Sequence, residues 1–181
     1  MTFKEKLITV KNGSTAILKS PSTEDAEALL DCMKTASEET HFLLRYAEEW
    51  KLTAAQEANW ISNAANSQAS MIICCYINGE MIGNCQITFG SCAKTSHRAS
   101  ISIVILREYW NLGIGSAMLA ELINTAREHG TEIVELEYME GNERGRRLYE
   151  KFGFRIIGER PNAFKLKDGT VLSEVFMQLY L

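Results

Sequence analysis

Gly113-Ile-Gly115 stands where a hydrophobic run gives way to an amphipathic one. Ile101-Ser-Ile-Val-Ile-Leu106 has the character of a strand, and a polar elbow, Arg107-Glu-Tyr-Trp-Asn111, follows it. From Gly113 to Glu128 the residues Ile114, Ala117, Met118, Leu122 and Ala126 then fall on one helical face. Glycines at a helix start let backbone N–H groups approach a ligand closely. The unpaired donors of the first turn and the helix dipole favour an anion such as a phosphate. One strand and one turn later, Asn142 precedes Glu143-Arg-Gly-Arg-Arg-Leu-Tyr-Glu-Lys-Phe-Gly-Phe154. Arg144, Arg146, Arg147 and Lys151 of this helix could reach a phosphate or form a solvated face. Tyr149, on its own, reads as a core tyrosine between Leu148 and Phe152. Glu135 and Glu137 share one face of a strand by two-residue alternation, as solvated carboxylates or as a base.

Two other phosphate-binding patterns fail. A dinucleotide fingerprint, G-x-G-x-x-G, would need glycine at position 118, which is Met118. Its glycines also follow their strand directly, whereas here an elbow intervenes. That argues against a nicotinamide-dependent enzyme. A nucleotide P-loop fails because no Gly-Lys-Ser/Thr follows the glycines.

Taken together, the Gly113-x-Gly115 turn and the Asn142…Leu148-Tyr149-Glu-Lys-Phe-Gly-Phe154 segment resemble the GNAT superfamily of acetyl-CoA-dependent N-acetyltransferases. The Tyr109-Trp110 pair is similar to the branch that contains the ribosomal-protein N-acetyltransferases. The resemblance implies transfer of an acetyl group from acetyl-CoA to a primary amine by direct attack, with no metal. By the same resemblance the backbone of Asn111, Leu112, Gly113, Ile114, Gly115 and Ser116 would cradle the pyrophosphate. Ile103, Val104 and Ile105 would run beside the pantetheine arm, and Asn142 would bond it. Tyr149 would be the general acid at the CoA sulfur. Glu137, five residues before Asn142, would be the base, with Glu135, His97 or a water chain as alternatives. Trp110 departs from the family pattern, which has Gln or Arg there, and so removes a basic side chain near the anion. A non-catalytic acyl-CoA sensor is the alternative from another class. The acceptor amine is left open between protein N-termini, polyamines, amino acids and other small amines.

These residues need a scaffold. Ser14–Lys19, Met71–Ile77, Met81–Phe89, Arg98–Leu106, Glu132–Met139, Phe154–Gly158 and Val171–Leu181 read as strands. Asn78-Gly79 marks a tight hairpin between the second and third of them. Helices are expected from Ser20-Pro21, from the capping box Thr53-Ala-Ala-Gln56 to about Ala65, from Gly113 to Glu128, and from Glu143 to Phe152. This order agrees with the resemblance, which implies an α/β GNAT fold over residues 1–181. It is a single domain with a mixed sheet of about seven strands and about four helices. An acceptor pocket is expected from the first two helices, the Glu38–Trp50 segment and the Lys165–Thr170 turn, with Phe42, Tyr46, Trp50 and Trp60 lining it or packing.

A net charge of −4 argues against nucleic acid as the main ligand. No run is apolar enough to span a membrane, and Met1–Leu7 has no hydrophobic signal core. The five cysteines show no metal-ligand spacing and fit a reduced, cytoplasmic protein. A homodimer is possible for such folds, but no interface is visible in the sequence.

Overall fold

The computed structural model describes residues 1–181. Its elements run β1 (Lys6–Thr9), β2 (Thr15–Lys19), α1 (Ala26–Glu39), α2 (Ala54–Asn66), β3 (Ser70–Ile77), β4 (Glu80–Phe89) and β5 (Arg98–Ile105). They continue as α3 (Ile114–Glu128), β6 (Ile133–Met139), α4 (Glu143–Lys151), β7 (Arg155–Lys165) and β8 (Val171–Tyr180). All eight strands join one sheet in the order β1-β2-β3-β4-β5-β6-β8-β7. Every pairing is antiparallel except β5 with β6, which the α3 crossover makes parallel.

Burial follows the two-residue period of a strand. Along β3, Met71, Ile73, Cys75 and Ile77 join a 27-residue core with Met118, Leu122 and Ala126 of α3. Ile72, Cys74 and Tyr76 face the other way, into a nine-residue core with Ala26, Leu29 and Cys32 of α1 and Ile61 of α2. A strand covered on both faces must be apolar throughout, which is why Met71–Ile77 is one continuous apolar run. Four of the cysteines lie in these cores as free thiols, and Cys92 is exposed.

The local signals act as expected at most boundaries. Asn78 and Gly79 take φ of 51° and 85° at the β3–β4 turn. The Gln56 N–H donates to Thr53 Oγ1 at 3.2 Å, and the Thr53 N–H to Gln56 Oε1 at 2.9 Å. Three boundaries differ. The first helix begins at Ala26, after a 3-10 turn over Thr23–Asp25, because the Asp25 carboxylate accepts the Ser22 N–H and closes a separate turn first. β1 is an additional strand, paired with β2 through the Asn12-Gly13 turn. β7 continues past Gly158 to Lys165, although it contains Pro161, because an edge strand tolerates a residue without an N–H.

Candidate active site

β5 and β6 pair only at Arg98–Ser100 with Ile133–Glu135. Beyond that point they part, one running on to Ile105 and the other to Met139. The opening exposes main-chain groups of β5 that have no ladder partner on this side, and α4 lies across it. Two cavities meet there, of about 380 Å³ and 190 Å³.

Asn111, Gly113, Ile114, Gly115 and Ser116 line the larger cavity, while Leu112 does not. The Leu112 carbonyl instead accepts the Lys11 N–H at 3.0 Å, so the β1–β2 hairpin pins the cradle loop from behind. Gly113 sits at φ 90° as the N-cap of α3. A side chain there is strained, so Gly113→Ala is expected to cost about 1–2 kcal/mol of stability, read by denaturant unfolding. Lys11, Arg144, Arg147 and Lys151 share this wall, and no carboxylate does. Lys11 was not among the expected residues. Its signal was the Asn12-Gly13 dipeptide, which has the same composition as the Asn78-Gly79 turn.

Asn142 caps α4, its Oδ1 accepting the Gly145 N–H at 3.0 Å. A Cβ on Gly145 would meet the Asn142 side chain at 2.9 Å, so glycine allows this close cap. Asn142→Ala is expected to cost about 1 kcal/mol, measured by thermal unfolding. Trp110 is held by its Nε1–H, which donates to the Ile105 carbonyl at 2.6 Å. The Arg144 guanidinium stacks on the Trp110 ring, 2.9 Å from its centroid, and Arg107 approaches it at 5.4 Å. A guanidinium from α4 thus stands beside the position where Trp110 removed one.

The smaller cavity is lined by Ala36, Glu39, Thr40, Phe42 and Leu43, by Ile101–Ile105 of β5, and by Glu137, Tyr138 and Tyr149. Ile103 and Ile105 border both cavities, Val104 only this one. The aromatics of the Glu38–Trp50 segment divide. Phe42 lines the cavity, whereas Trp50 Nε1–H donates to Ser37 Oγ at 2.9 Å and packs on α1. The Tyr46 hydroxyl accepts the Lys167 N–H at 3.1 Å, tying the β7–β8 turn to this segment beside the Lys167–Glu48 ion pair. Trp60 lies on α2, away from both cavities.

The structure separates the candidate bases. Glu135 accepts Arg98 Nε–H at 3.1 Å and is ion-paired to that side chain. His97 lies at the start of β5, far from the cavity end, and lines neither cavity. Glu137 has no such partner. Desolvation, with Glu174 and Glu135 nearby, raises its carboxyl above the usual range against the opposing pull of Arg160. Tyr149 is buried and borders both cavities. Burial pushes its hydroxyl up to about 12, with Arg144 opposing and Tyr138 and Glu137 adding to the rise.

The sequence and the fold as a whole match known proteins. The model of the acetyltransferase (GNAT) family covers residues 29–154. The ribosomal protein bS18-alanine N-acetyltransferase of Haemophilus influenzae is 35% identical over 108 residues, 59% of this chain and 73% of that protein. A GNAT acetyltransferase of Streptococcus pneumoniae superposes with a TM-score of 0.86 at 25% identity, over 92% of this chain and 99% of that one. A Salmonella typhimurium protein solved with its cofactor acetyl-CoA superposes with a TM-score of 0.79 at 19% identity, over 92% and 94% of the two chains. The chain belongs to the GNAT family of acetyltransferases and is an acetyltransferase enzyme. No helix is long and apolar enough to cross a membrane.

Proposed function

We propose that residues 1–181 form one catalytic domain that moves the acetyl group of acetyl-CoA directly onto a primary amine. The observation that carries this reading is the meeting of two cavities of opposite charge at Tyr149. The larger holds four cations and no carboxylate, in a chain of net charge −4. That wall and the N–H groups of the glycine cradle suit a polyphosphorylated donor. The smaller holds Glu39 and Glu137 against Arg144 and suits an ammonium group. The Nη1 of Arg144, buried without a hydrogen-bond partner, supports a wall suited to negative charge.

Acetyl-CoA, when bound, supplies an activated thioester. Lys11, Arg147 and Lys151 would hold its phosphates with the Gly113–Ser116 backbone, and β5 would offer main-chain groups to its arm. Glu137, directly or through water, takes a proton from the ammonium so that the nitrogen can attack. Tyr149, protonated at neutral pH, donates a hydrogen bond to the sulfur as the C–S bond breaks. No cysteine lines either cavity, so a covalent acetyl-cysteine intermediate has no support. The bS18-alanine enzyme among the relatives supports an α-amine acceptor. The four buried free thiols support a cytoplasmic setting.

Calorimetric titration with acetyl-CoA, with NAD as control, followed by an amine panel, tests this reading. Micromolar binding of acetyl-CoA alone and acetylation of at least one amine are expected. Absence of acetyl-CoA binding defeats the reading, and binding without turnover across amines, peptides and amino acids favours a sensor.

A further inference from the structure

The thioester must lie where the two cavities join, because there the donor meets the amine. Six residues border both cavities: Ile103, Ile105, Trp110, Asn142, Arg144 and Tyr149. Arg144 is the only charged one among them. Its guanidinium is fixed against the Trp110 ring, which is itself held by the bond to Ile105. It makes no ion pair and donates to no acceptor in the protein, and its Nη1 is fully buried. A partly desolvated cation without a counter-charge is costly, and it stabilises any negative charge that forms beside it.

We propose that Arg144 is a catalytic residue that stabilises the negative charge gathering on the departing CoA sulfur, acting together with Tyr149. This inference rests on the acetyl-transfer reading. In the step, the amine nitrogen bonds to the acetyl carbon and the C–S bond breaks. The electron pair leaves on sulfur as thiolate. The nitrogen gives up one proton before attack and a second as the amide forms. Tyr149 alone is poorly matched to the task. A hydroxyl at about 12 does not fully protonate a thiolate whose parent thiol ionises near ~8.5. A fixed cation needs no proton transfer. Desolvation and Arg107 lower the guanidinium itself to about 10, which leaves it charged at neutral pH.

The test compares Arg144→Met and Arg144→Lys with the parent. In Arg144→Met, kcat is expected to fall roughly tenfold or more, the size of a charged hydrogen bond. The acetyl-CoA Kd and the acceptor KM should stay within about threefold, and Arg144→Lys should recover part of kcat. The readout independent of turnover is product binding. The parent should bind CoA more tightly as pH rises from about 7 to 9, because a bound thiolate is favoured and its thiol ionises at lower pH in the complex. Desulfo-CoA should show no such trend, and Arg144→Met should lose it. Weakened acetyl-CoA binding with unchanged kcat would make Arg144 a phosphate ligand and overturn the proposal. So would a rise in acceptor KM alone, or no effect at all. A parent that neither binds nor uses acetyl-CoA instead defeats the underlying reading.

Discussion

Tyr149→Phe is expected to lower kcat by about 10²-fold, at the lower edge of what a positioned proton donor contributes, with acetyl-CoA affinity nearly unchanged. The substitution removes one atom and little else. The ring stays, with its tilted contacts to Tyr138 at 6.2 Å and Phe154 at 6.1 Å between centroids. The hydroxyl makes no hydrogen bond within the protein, so no buried partner is orphaned and folding should be preserved. A loss of rate therefore reports on the missing donor at the sulfur. Steady-state kinetics with a calorimetric acetyl-CoA Kd decides it. Unchanged kcat would show that Tyr149 is a core residue that borders the cavities without taking part.

How much of this was legible in the sequence depends on the range of the interaction. Turns and caps are local, so Asn78-Gly79, Thr53…Gln56 and Asn142 announced themselves through residue type and spacing. The family segment Asn142–Phe154 placed Tyr149 on a helix, and the structure sets it at the junction of both cavities. The missed parts are long-range. Lys11 reaches the cradle only because β1 pairs with β2 and the hairpin folds onto the Leu112 carbonyl. Glu135 and Glu137 are equivalent by alternation. What separates them is Arg98, one strand over, which pairs with Glu135 and leaves Glu137 at the open end where β5 and β6 diverge. Trp110 read as the loss of a cation. Only the fold shows that Arg144, on another helix, stacks on that ring. Nothing in the spacing of the two segments could have supplied that contact.

The consequence for Glu137 can be measured through pH. Partial desolvation and the neighbouring Glu174 and Glu135 raise its pKa, with Arg160 pulling the other way. A base acts in its deprotonated form, so kcat/KM of the parent should rise with pH through that elevated value. It should level off once the carboxylate is fully charged, or once the amine of the free acceptor loses its own proton. Glu137→Gln keeps the shape of the side chain and removes the titration. The acidic limb set by Glu137 should then vanish. The amine would have to shed its proton unaided, which an α-amine does only near ~8 and an alkyl ammonium near ~10. At neutral pH the variant is therefore expected to be about 10²-fold slower than the parent. The gap should close as pH rises and the free amine becomes abundant. The whole profile should thus move toward higher pH while acetyl-CoA affinity holds. Loss of carboxylate repulsion predicts no loss of stability, since removing a charge from beside Glu174 and Glu135 relieves like-charge contact. Identical pH profiles for parent and variant would exclude Glu137 as the base. Glu135 would not inherit the role by default, because Arg98 already holds it; a water-mediated route would be left.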